Sequence, residues 1–458
     1  MKPPKITFDF PKVILMGLTV VILPLLAYDR LTAISEVKLL CSILYCLTGT
    51  AIILEVIFAI FIKQPSLEQF KKGHRNFLLK KHIKDNYRLP RKISIIIVAY
   101  LPNEKDLIIE TLNHFLFNLR YPSDYEIILA YNSPTVLEIE RDIQLMSQEY
   151  PQLKLLRVEG STSKAENQNQ GINVASGEMI ALFDADHRPI NEDCFARAWH
   201  WIANGYDVVQ GRCAIRNYKD TLITSLVAIE FEIIYGLCHE ARSIFTNTAI
   251  FGGSNAYWRT DTLKRVKFNK KMLTEDIDAT LRLITSGYKL VHDRTIVATE
   301  EAPSTVKSLW RQRKRWSQGW LECTLGYQGE VIQSKHLNLW QKIHWFYVLG
   351  YRELFLPISL QTLGLIFLQW MTGEEVLSEQ AHFFLDFTLV YTLIAGWVTL
   401  FGAMAIKSQR YDFKVFLIYF IANIPYTILK IVISLVAWYD HIAGETSWVV
   451  TPRAEKKI

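Results

Sequence analysis

The stretch Ile93-Ser94-Ile95-Ile96-Ile97-Val98-Ala99-Tyr100 decides the fold, because its many β-branched residues predict a strand. Three further β-rich runs follow, at residues 125–130, 153–158 and 179–183. Stretches with a helical pattern lie between them, at residues 104–119, 134–149 and 163–175. Strands that alternate with helices predict an α/β domain with a mostly parallel sheet covered on both faces. In such sheets ligands bind beyond the carboxyl ends of the strands, so the residues after each strand are the first candidates for a site.

The composition indicates apolar ends around a soluble middle. The chain has 458 residues, enough for two or three domains, and half of them are hydrophobic. The net charge of +6 is spread along the chain without a recognition motif, so we expect no nucleic-acid partner. The basic excess suits membrane lipids with anionic headgroups and a phosphate-bearing substrate. The six cysteines lack metal-binding spacing and are predicted to be reduced, buried thiols.

Apolar runs on both sides of the α/β region predict transmembrane helices. They lie at residues 13–27, 39–62, 346–370 and 384–405. The chain therefore divides into a membrane segment at 1–63, an α/β domain at 91–320, and interfacial and transmembrane helices at 321–458. Basic residues flank the first two runs, and the positive-inside rule then places the α/β domain in the cytoplasm.

The last apolar run, residues 415–438, has two interpretations. If it spans the membrane, the basic tail after it lies outside, against the charge rule. Pro425 and Lys430 interrupt the run, which instead favours an interfacial amphipathic helix followed by a cytoplasmic tail.

A pair of aspartates closes the fourth predicted strand, in Leu182-Phe183-Asp184-Ala185-Asp186. Carboxylates at the end of a buried strand are costly unless a cation pairs with them. At positions i and i+2, both can approach one divalent ion and the diphosphate that it carries. The alternative is an exposed turn, where aspartate is common.

A second acidic group is Thr274-Glu275-Asp276. These residues are typical of a helix N-terminus, which is one interpretation. The other is a general base, a carboxylate that removes a proton from an acceptor hydroxyl.

The third motif is Gln312-Arg313-Lys314-Arg315-Trp316, before the C-terminal membrane region. Gln312 and Arg315 share a helix face at i,i+3, and arginine can hold a diphosphate through two hydrogen bonds. Tryptophan offers a flat surface to a sugar ring. Arg313, Lys314 and the preceding Arg311 are instead predicted to contact lipid headgroups.

With these three motifs in this order, the chain resembles the processive branch of the membrane-bound family 2 glycosyltransferases, which contains cellulose, chitin and hyaluronan synthases. The resemblance implies a GT-A-type catalytic domain at the cytoplasmic face, a nucleoside-diphosphate sugar donor, Mg²⁺ or Mn²⁺, and inversion at the anomeric carbon. It implies that Asp184 and Asp186 hold the metal and diphosphate, that Asp276 is the base, and that Gln312, Arg315 and Trp316 close the donor and acceptor sites.

The resemblance extends to shorter segments. It implies further substrate contacts from Tyr100, Glu104, Lys164, Gly253, Ser254 and Glu275. The segment Trp448-Val449-Val450-Thr451-Pro452-Arg453 resembles the gating segment of cellulose synthases, which makes Trp448, Thr451 and Arg453 candidates; the alternative is an ordinary basic tail. Where the family usually carries an aspartate pair that contacts the base, this chain has Ala130-Tyr131-Asn132-Ser133, which leaves the expected UDP-sugar donor open.

Three functions follow from these observations. We expect extension of a polysaccharide, with glycosylation of a membrane lipid as the alternative and a non-catalytic membrane scaffold as the alternative of a different class. The expected location is a multi-pass protein of the bacterial inner membrane.

Overall fold

The computed structural model of the chain describes residues 35–62, 64, 66–67, 88–353, 355, 371, 379–406 and 411–445. The predicted span at 13–27, most of the one at 346–370, and Trp448, Thr451 and Arg453 therefore lie outside the described residues.

Helices and strands alternate through the middle of the chain. In order they are α1 (Ser35–Phe61), β1 (Lys92–Tyr100), α2 (Leu101–Glu104), α3 (Ile108–Phe117), β2 (Asp124–Asn132), α4 (Glu138–Glu149), β3 (Leu153–Arg157), α5 (Lys164–Val174), β4 (Met179–Asp184), β5 (Arg188–Pro189), α6 (Cys194–Ala203), β6 (Val208–Ile215), α7 (Leu222–Phe231), α8 (His239–Thr246), β7 (Ala256–Arg259), α9 (Thr260–Val266), α10 (Glu275–Thr285), β8 (Leu290–Glu300), α11 (Val306–Gln333), α12 (Leu339–Phe346), α13 (Glu379–Ala405) and α14 (Phe413–Ile442). Two π-helical segments continue α7 and α12, at Glu232–Cys238 and Tyr347–Tyr351. The four predicted strands and the helices between them are confirmed, with ends shifted by a few residues.

One eight-stranded sheet forms the centre, in the order β3-β2-β1-β4-β7-β6-β8-β5. The strands β3, β2, β1 and β4 are parallel, as predicted. Strands β6 and β8 run in the same direction as these four, so the prediction of a mostly parallel sheet is confirmed, and β7 and β5 are the two described strands that run the opposite way. The glycine-containing loop before β7 delivers the chain to the carboxyl edge of β4, so β7 must run back along it.

The parallel register places the strand ends together. Tyr100 at the end of β1 pairs with Asn132 at the end of β2, and Val98 pairs with Asp184 at the end of β4. Both faces of β1 are buried, with Ile95 and Ile97 packing in one hydrophobic cluster. Ile96 packs in the other, so helices cover the sheet on both faces as predicted.

A third hydrophobic cluster joins the sheet domain to the long apolar helices. Within the described residues, three helical stretches are long and apolar enough to cross a bilayer: Ser42–Phe61, Leu222–Thr246 and Phe413–Ile442. Val390–Ala405 is a shorter apolar helix, and Thr392 Oγ1 in it donates to the backbone oxygen of Tyr45 in α1 at 3.0 Å. A membrane span at Leu222–Thr246 was not predicted from the sequence, and this stretch was placed within the α/β domain, because glutamates, a histidine and an arginine interrupt its apolar pattern.

Pro425 and Lys430 do not break the helix that the last apolar run forms. Helix α14 is continuous over 30 residues and contains Pro425 in its interior. At 1.5 Å per residue it is about 45 Å long, which exceeds the hydrocarbon thickness of a bilayer. The charge of Lys430 does not end the helix, because its Nζ lies 2.9 Å from a carboxylate oxygen of Glu230.

The predicted headgroup contacts are also wrong for two of the three basic residues on α11. Arg313 is buried and its guanidinium lies 2.6 Å from Glu230 Oε2. Lys314 forms an ion pair with Asp440 near the end of α14. The basic run therefore connects α11 to the apolar helices through internal ion pairs.

Candidate active site

The aspartate pair, Asp184 and Asp186, lies where β4 ends. Ser254 Oγ accepts a 3.0 Å hydrogen bond from the backbone N–H of Asp184, which fixes the strand end. Asp186 is buried, and its Oδ2 accepts from the backbone N–H of Glu301 at 3.2 Å. Both carboxylates are thus held at the carboxyl edge of the sheet, and Ser254 serves this arrangement from the loop before β7.

His187, which sequence reasoning missed, completes a group suited to a divalent cation. Ligand atoms of Asp184, Asp186 and His187 all lie within 4.8 Å of one another. Carboxylate oxygens suit Mg²⁺ and Mn²⁺, and imidazole is accepted by transition metals. Burial alone would lower the pKa of His187, but the Glu300 carboxylate and the hydrogen bond to Asp186 raise this pKa well above its usual value.

Lys164 connects the aspartate pair to the Thr-Glu-Asp motif. It begins α5, whose N-terminus is capped by Ser163. Its Nζ lies 2.6 Å from Asp184 Oδ1 and 3.7 Å from Glu275 Oε1, and it donates to the backbone oxygen of Gly253 at 3.1 Å. Burial opposes the charge, yet the neighbouring carboxylates raise the Lys164 pKa and keep the ammonium protonated. Three predicted site residues are therefore gathered around one cation.

Asp276 stands in the first turn of α10, with Thr274 at the N-cap position. The interpretation as a helix N-terminus is confirmed, and the interpretation as a general base stays a prediction. Burial and the neighbouring Glu275 raise the pKa of Asp276 to about 7, while Lys164 opposes this shift. A carboxyl group that titrates near neutral pH has the property required of a general base.

The loop from Phe251 to Asn255 brings backbone close to Asp276. Gly253 has φ of +84°, and a Cβ placed there would lie 3.1 Å from Asp276 Oδ2. A Cβ on Gly252 would lie only 2.6 Å from the Tyr235 hydroxyl. Gln210 holds the loop, because its Oε1 accepts from the N–H of Gly252 at 2.9 Å. Gln210 lies inside β6 and Tyr235 lies in a π-helical segment. No motif in the sequence marks either residue as part of the site.

The Gln-x-x-Arg-Trp motif lies on α11. Arg315 donates to the backbone oxygen of Leu273 at 3.2 Å, next to the Thr-Glu-Asp motif, and its charge lowers the Asp276 pKa. The guanidinium of Arg313 stacks on the Trp316 ring at 4.4 Å, so one face of that ring is already covered. Gln312 Oε1 is buried and has no hydrogen-bond partner among the described residues.

The ends of β1 and β2 form a separate polar edge. Tyr100 is half-buried there, and Glu104 in α2 is buried and accepts from Asn103 at 3.0 Å. Asn167 donates to Asn132 Oδ1 at 2.7 Å, and Asn132 in turn donates to the backbone oxygen of Ser161 at 3.0 Å. An amide network therefore occupies the position where the family usually has its aspartates.

The chain is similar to known glycosyltransferases in sequence and in fold. The family described as "Glycosyl transferase family group 2" matches residues 179–439. The poly-beta-1,6-N-acetyl-D-glucosamine synthase of Staphylococcus epidermidis is 27% identical over 343 residues, 72% of this chain and 78% of that protein. The beta-monoglucosyldiacylglycerol synthase of a Nostoc species is 25% identical over 247 residues, 53% of this chain and 52% of that protein.

Among solved structures, the chain is similar to a mannosyltransferase from Pyrobaculum calidifontis in complex with GDP-Man and Mn²⁺. The TM-score is 0.54 at 18% identity, and the similarity covers 81% of this chain and all of that one (100%). At this identity the similarity shows a shared GT-A fold.

Proposed function

Because this chain belongs to glycosyl transferase family group 2, we propose that it is an inverting, metal-dependent enzyme that extends a polysaccharide at the cytoplasmic membrane face. That it is a nucleotide-sugar-dependent glycosyltransferase of the processive synthase type follows from its family and relatives. What we propose beyond this is the polysaccharide acceptor, the inversion at the anomeric carbon, the need for a metal, and the cytoplasmic side of the membrane. One observation carries it: the Lys164 ammonium contacts both Asp184 and Glu275 and so joins the aspartate pair to the Thr-Glu-Asp motif.

The donor diphosphate is proposed to bind at the aspartate pair. Asp184, Asp186 and His187 would hold Mg²⁺ or Mn²⁺, which, when bound, offsets the negative charge that grows on the leaving diphosphate. Lys164 and Arg315 add positive charge from the protein itself. Such stabilisation accelerates the reaction because the charge is larger in the transition state than in the bound donor. The nucleoside would lie along Tyr100 and Glu104, and a UDP-sugar is the donor that we expect.

Asp276 is proposed as the base. In its ionised form it would accept the proton of the acceptor hydroxyl while the oxygen of that hydroxyl attacks the anomeric carbon. Attack from the side opposite the leaving diphosphate inverts that carbon. Gly253 lies so close to Asp276 that a side chain at this position would crowd the carboxylate proposed as the base.

The acceptor is proposed to lie between the loop at Gly252 and the motif residue Trp316. The hydroxyl of Tyr235 stands beside Gly252 and can bind a sugar hydroxyl. The ring of Trp316 can pack against a sugar through the face that Arg313 does not cover. Gln312 supplies a buried acceptor atom on the same helix.

Two acceptors compete. The Gln-x-x-Arg-Trp motif and the polysaccharide synthase relative favour a growing polymer. The relative named for monoglucosyldiacylglycerol synthesis supports a membrane lipid as the second candidate. A non-catalytic scaffold has no need of the raised pKa of Asp276 or of the half-buried lysine beside it.

Product analysis tests the proposal. Purified protein in nanodiscs would be incubated with Mg²⁺ or Mn²⁺ and a panel of nucleoside-diphosphate sugars, and the products analysed by mass spectrometry. We expect a ladder of oligosaccharides from one donor. A lipid that carries one added sugar would support the second acceptor, and neither transfer nor hydrolysis of any donor would support the scaffold.

The side of the membrane requires its own test. A cytoplasmic tail would allow Trp448, Thr451 and Arg453 to close over the donor, as a lid does. The positive-inside rule favours this side for the basic tail, and we propose a multi-pass protein of the bacterial inner membrane with both the catalytic domain and the tail inside. A cysteine at Ala454, in a variant whose other cysteines are replaced, should react with a membrane-impermeant thiol reagent only after permeabilisation. Labelling in intact cells would reject the lid.

A further inference from the structure

The imidazole of His187 is held between two carboxylates. Its Nε2 lies 2.5 Å from Glu300 Oε2, and its Nδ1 lies 3.2 Å from Asp186 Oδ1. His187 and Asp186 are both buried, and the Glu300 side chain is 17% exposed. Only Asp186 belongs to the aspartate pair, so the contact with Glu300 has no role in the reaction as described above.

An ionised carboxylate only accepts hydrogen bonds, so Glu300 requires a proton on Nε2. In the neutral imidazole, Nδ1 then carries a lone pair, and this lone pair faces the Asp186 carboxylate. A proton on Nδ1 can occupy the space between these two atoms, and a divalent cation would take the place of that proton. The 3.2 Å between Nδ1 and Oδ1 is close to the ~3 Å that separates neighbouring ligands of an octahedral ion with bonds of about 2.1 Å.

We propose that Glu300 is a positioning residue for the metal site, which accepts the Nε2 proton of His187 and thereby presents Nδ1 as a third protein ligand beside Asp184 and Asp186. The inference rests on the metal dependence in the proposed function. A ligating histidine commonly donates its other N–H to a carboxylate, and loss of that partner typically costs 10- to 100-fold in metal affinity.

The fold holds Glu300 and the aspartate pair in one unit. Glu300 ends β8 and pairs with Ile215 of β6, and its backbone oxygen accepts from the N–H of Arg216 at 2.9 Å. Arg216 also donates to the backbone oxygen of Asp186 at 2.7 Å. The next residue, Glu301, donates its N–H to the Asp186 side chain at 3.2 Å. The end of β8 therefore fixes both Asp186 and the carboxylate that orients His187.

A second arrangement of the same residues is less consistent with the geometry. Cys213 Sγ lies 3.7 Å from His187 Nε2, so Cys213, His187 and Glu300 also form a compact group. The 2.5 Å between Nε2 and Glu300 Oε2, however, is at the short limit of a direct hydrogen bond and leaves no space for an ion between the two atoms. Two ligands of one ion stand about 3 Å apart or more, so an ion between these atoms would have to break this contact.

Mn²⁺ alone is the probe for the test, with the full chain in nanodiscs. Affinity is measured by electron paramagnetic resonance titration, and histidine ligation by the magnetic coupling of bound Mn²⁺ to nitrogen in protein labelled with ¹⁵N-histidine. Glu300→Gln, which keeps the size of the side chain, is expected to bind Mn²⁺ about 10- to 100-fold more weakly. Glu192→Gln is the matched control and should keep the wild-type affinity, because its exposed side chain pairs with Arg120 rather than His187.

The outcomes separate this inference from the proposed function. Nitrogen coupling in the wild type that His187→Gln abolishes, together with weakened binding in Glu300→Gln, supports the assignment. Wild-type binding of Mn²⁺ without histidine coupling overturns it while metal dependence stands. Unchanged affinity and coupling in Glu300→Gln also overturn it. Transfer at full rate in excess chelator would remove both the inference and the metal from the proposed function.

Discussion

The ammonium nitrogen of Lys164 lies 2.6 Å from a carboxylate oxygen of Asp184. The two residues are 20 positions apart in sequence, at the start of α5 and the end of β4. The same ammonium lies 3.7 Å from Glu275, so the two acidic motifs share its positive charge. Its removal would leave three carboxylates facing one another where an anionic donor must bind.

We therefore expect Lys164→Ala to reduce kcat/KM by about 10- to 100-fold, because a hydrogen bond to a charged group contributes roughly 1.5–3 kcal/mol. Lys270→Ala removes an exposed lysine that pairs with Glu166 at 3.0 Å, and should change little. Initial rates of sugar transfer measure both. Equal rates in the two variants would contradict a role for Lys164 in donor binding.

Asp276→Asn should fold and bind donor, yet lose transfer. The amide keeps the size of the side chain but cannot accept the proton, and removal of a general base typically costs 10²–10⁴-fold. Donor affinity by calorimetry and transfer rate by product formation separate binding from chemistry. Asp261→Asn, at an exposed carboxylate in α9, is the control. Transfer by Asp276→Asn close to the wild-type rate would reject Asp276 as the base.

The pH dependence follows from the pKa of Asp276, which burial and Glu275 raise to about 7. A raised carboxyl pKa means that the proton is retained up to that pH, and only the ionised form acts as a base. We expect kcat/KM to rise about tenfold per pH unit below 7 and to level off above it. Initial rates between pH 5 and 9 at fixed ionic strength provide the measurement. A profile that is flat between pH 5 and 7 would disagree with this assignment.

Removal of the metal should abolish transfer, because the aspartate pair is proposed to bind the donor diphosphate through that metal. Asp186→Asn removes a charge while keeping a side chain of the same size. We expect it to weaken donor binding when Mn²⁺ or Mg²⁺ is present and to change binding little in excess EDTA. Calorimetric titration of donor under the two conditions measures the difference. Wild-type activity that persists in EDTA would exclude the metal.

The sequence predicted which residues meet at the candidate site where local pattern and sheet geometry determine their positions. Because β1 and β4 are parallel, a polar residue at each strand end had to reach the same edge, and Tyr100 and Asp184 do so. Tyr235 and Glu300 were missed because only long-range packing brings them there. The direction of β7 was missed as well, since the loop before it determines its orientation.

The role of two basic residues on α11 was also predicted incorrectly, because their partners are distant in sequence. A basic run before an apolar region is typical of headgroup contacts, but Arg313 instead pairs with a carboxylate 83 positions away. That carboxylate, Glu230, lies within an apolar stretch whose hydropathy gives no indication of its partner. Partners so distant in sequence cannot be identified from composition around either one.

Glu230 provides the last prediction, because it receives three contacts where α7, α11 and α14 meet. Arg313 and Lys430 approach it at 2.6 Å and 2.9 Å, and the Tyr426 hydroxyl donates to it at 2.8 Å. Arg313 is buried, and its described ion pair is with Glu230. Glu230→Gln would leave both cations without their anion, and breaking a buried ion pair in this way typically costs about 3–5 kcal/mol.

We expect Glu230→Gln to lower the apparent melting temperature in detergent by several degrees, followed through tryptophan fluorescence. Asp412→Asn makes the same chemical change in an exposed pair with Lys219 at 2.8 Å, where the cost should be at most about 1 kcal/mol. Replacing Glu230, Arg313 and Lys430 together by Leu, Met and Met should recover much of the loss, since apolar substitutes for a buried ion cluster are often neutral or stabilising. Equal melting temperatures for Glu230→Gln and Asp412→Asn would show that the cluster does not hold α11 against α14.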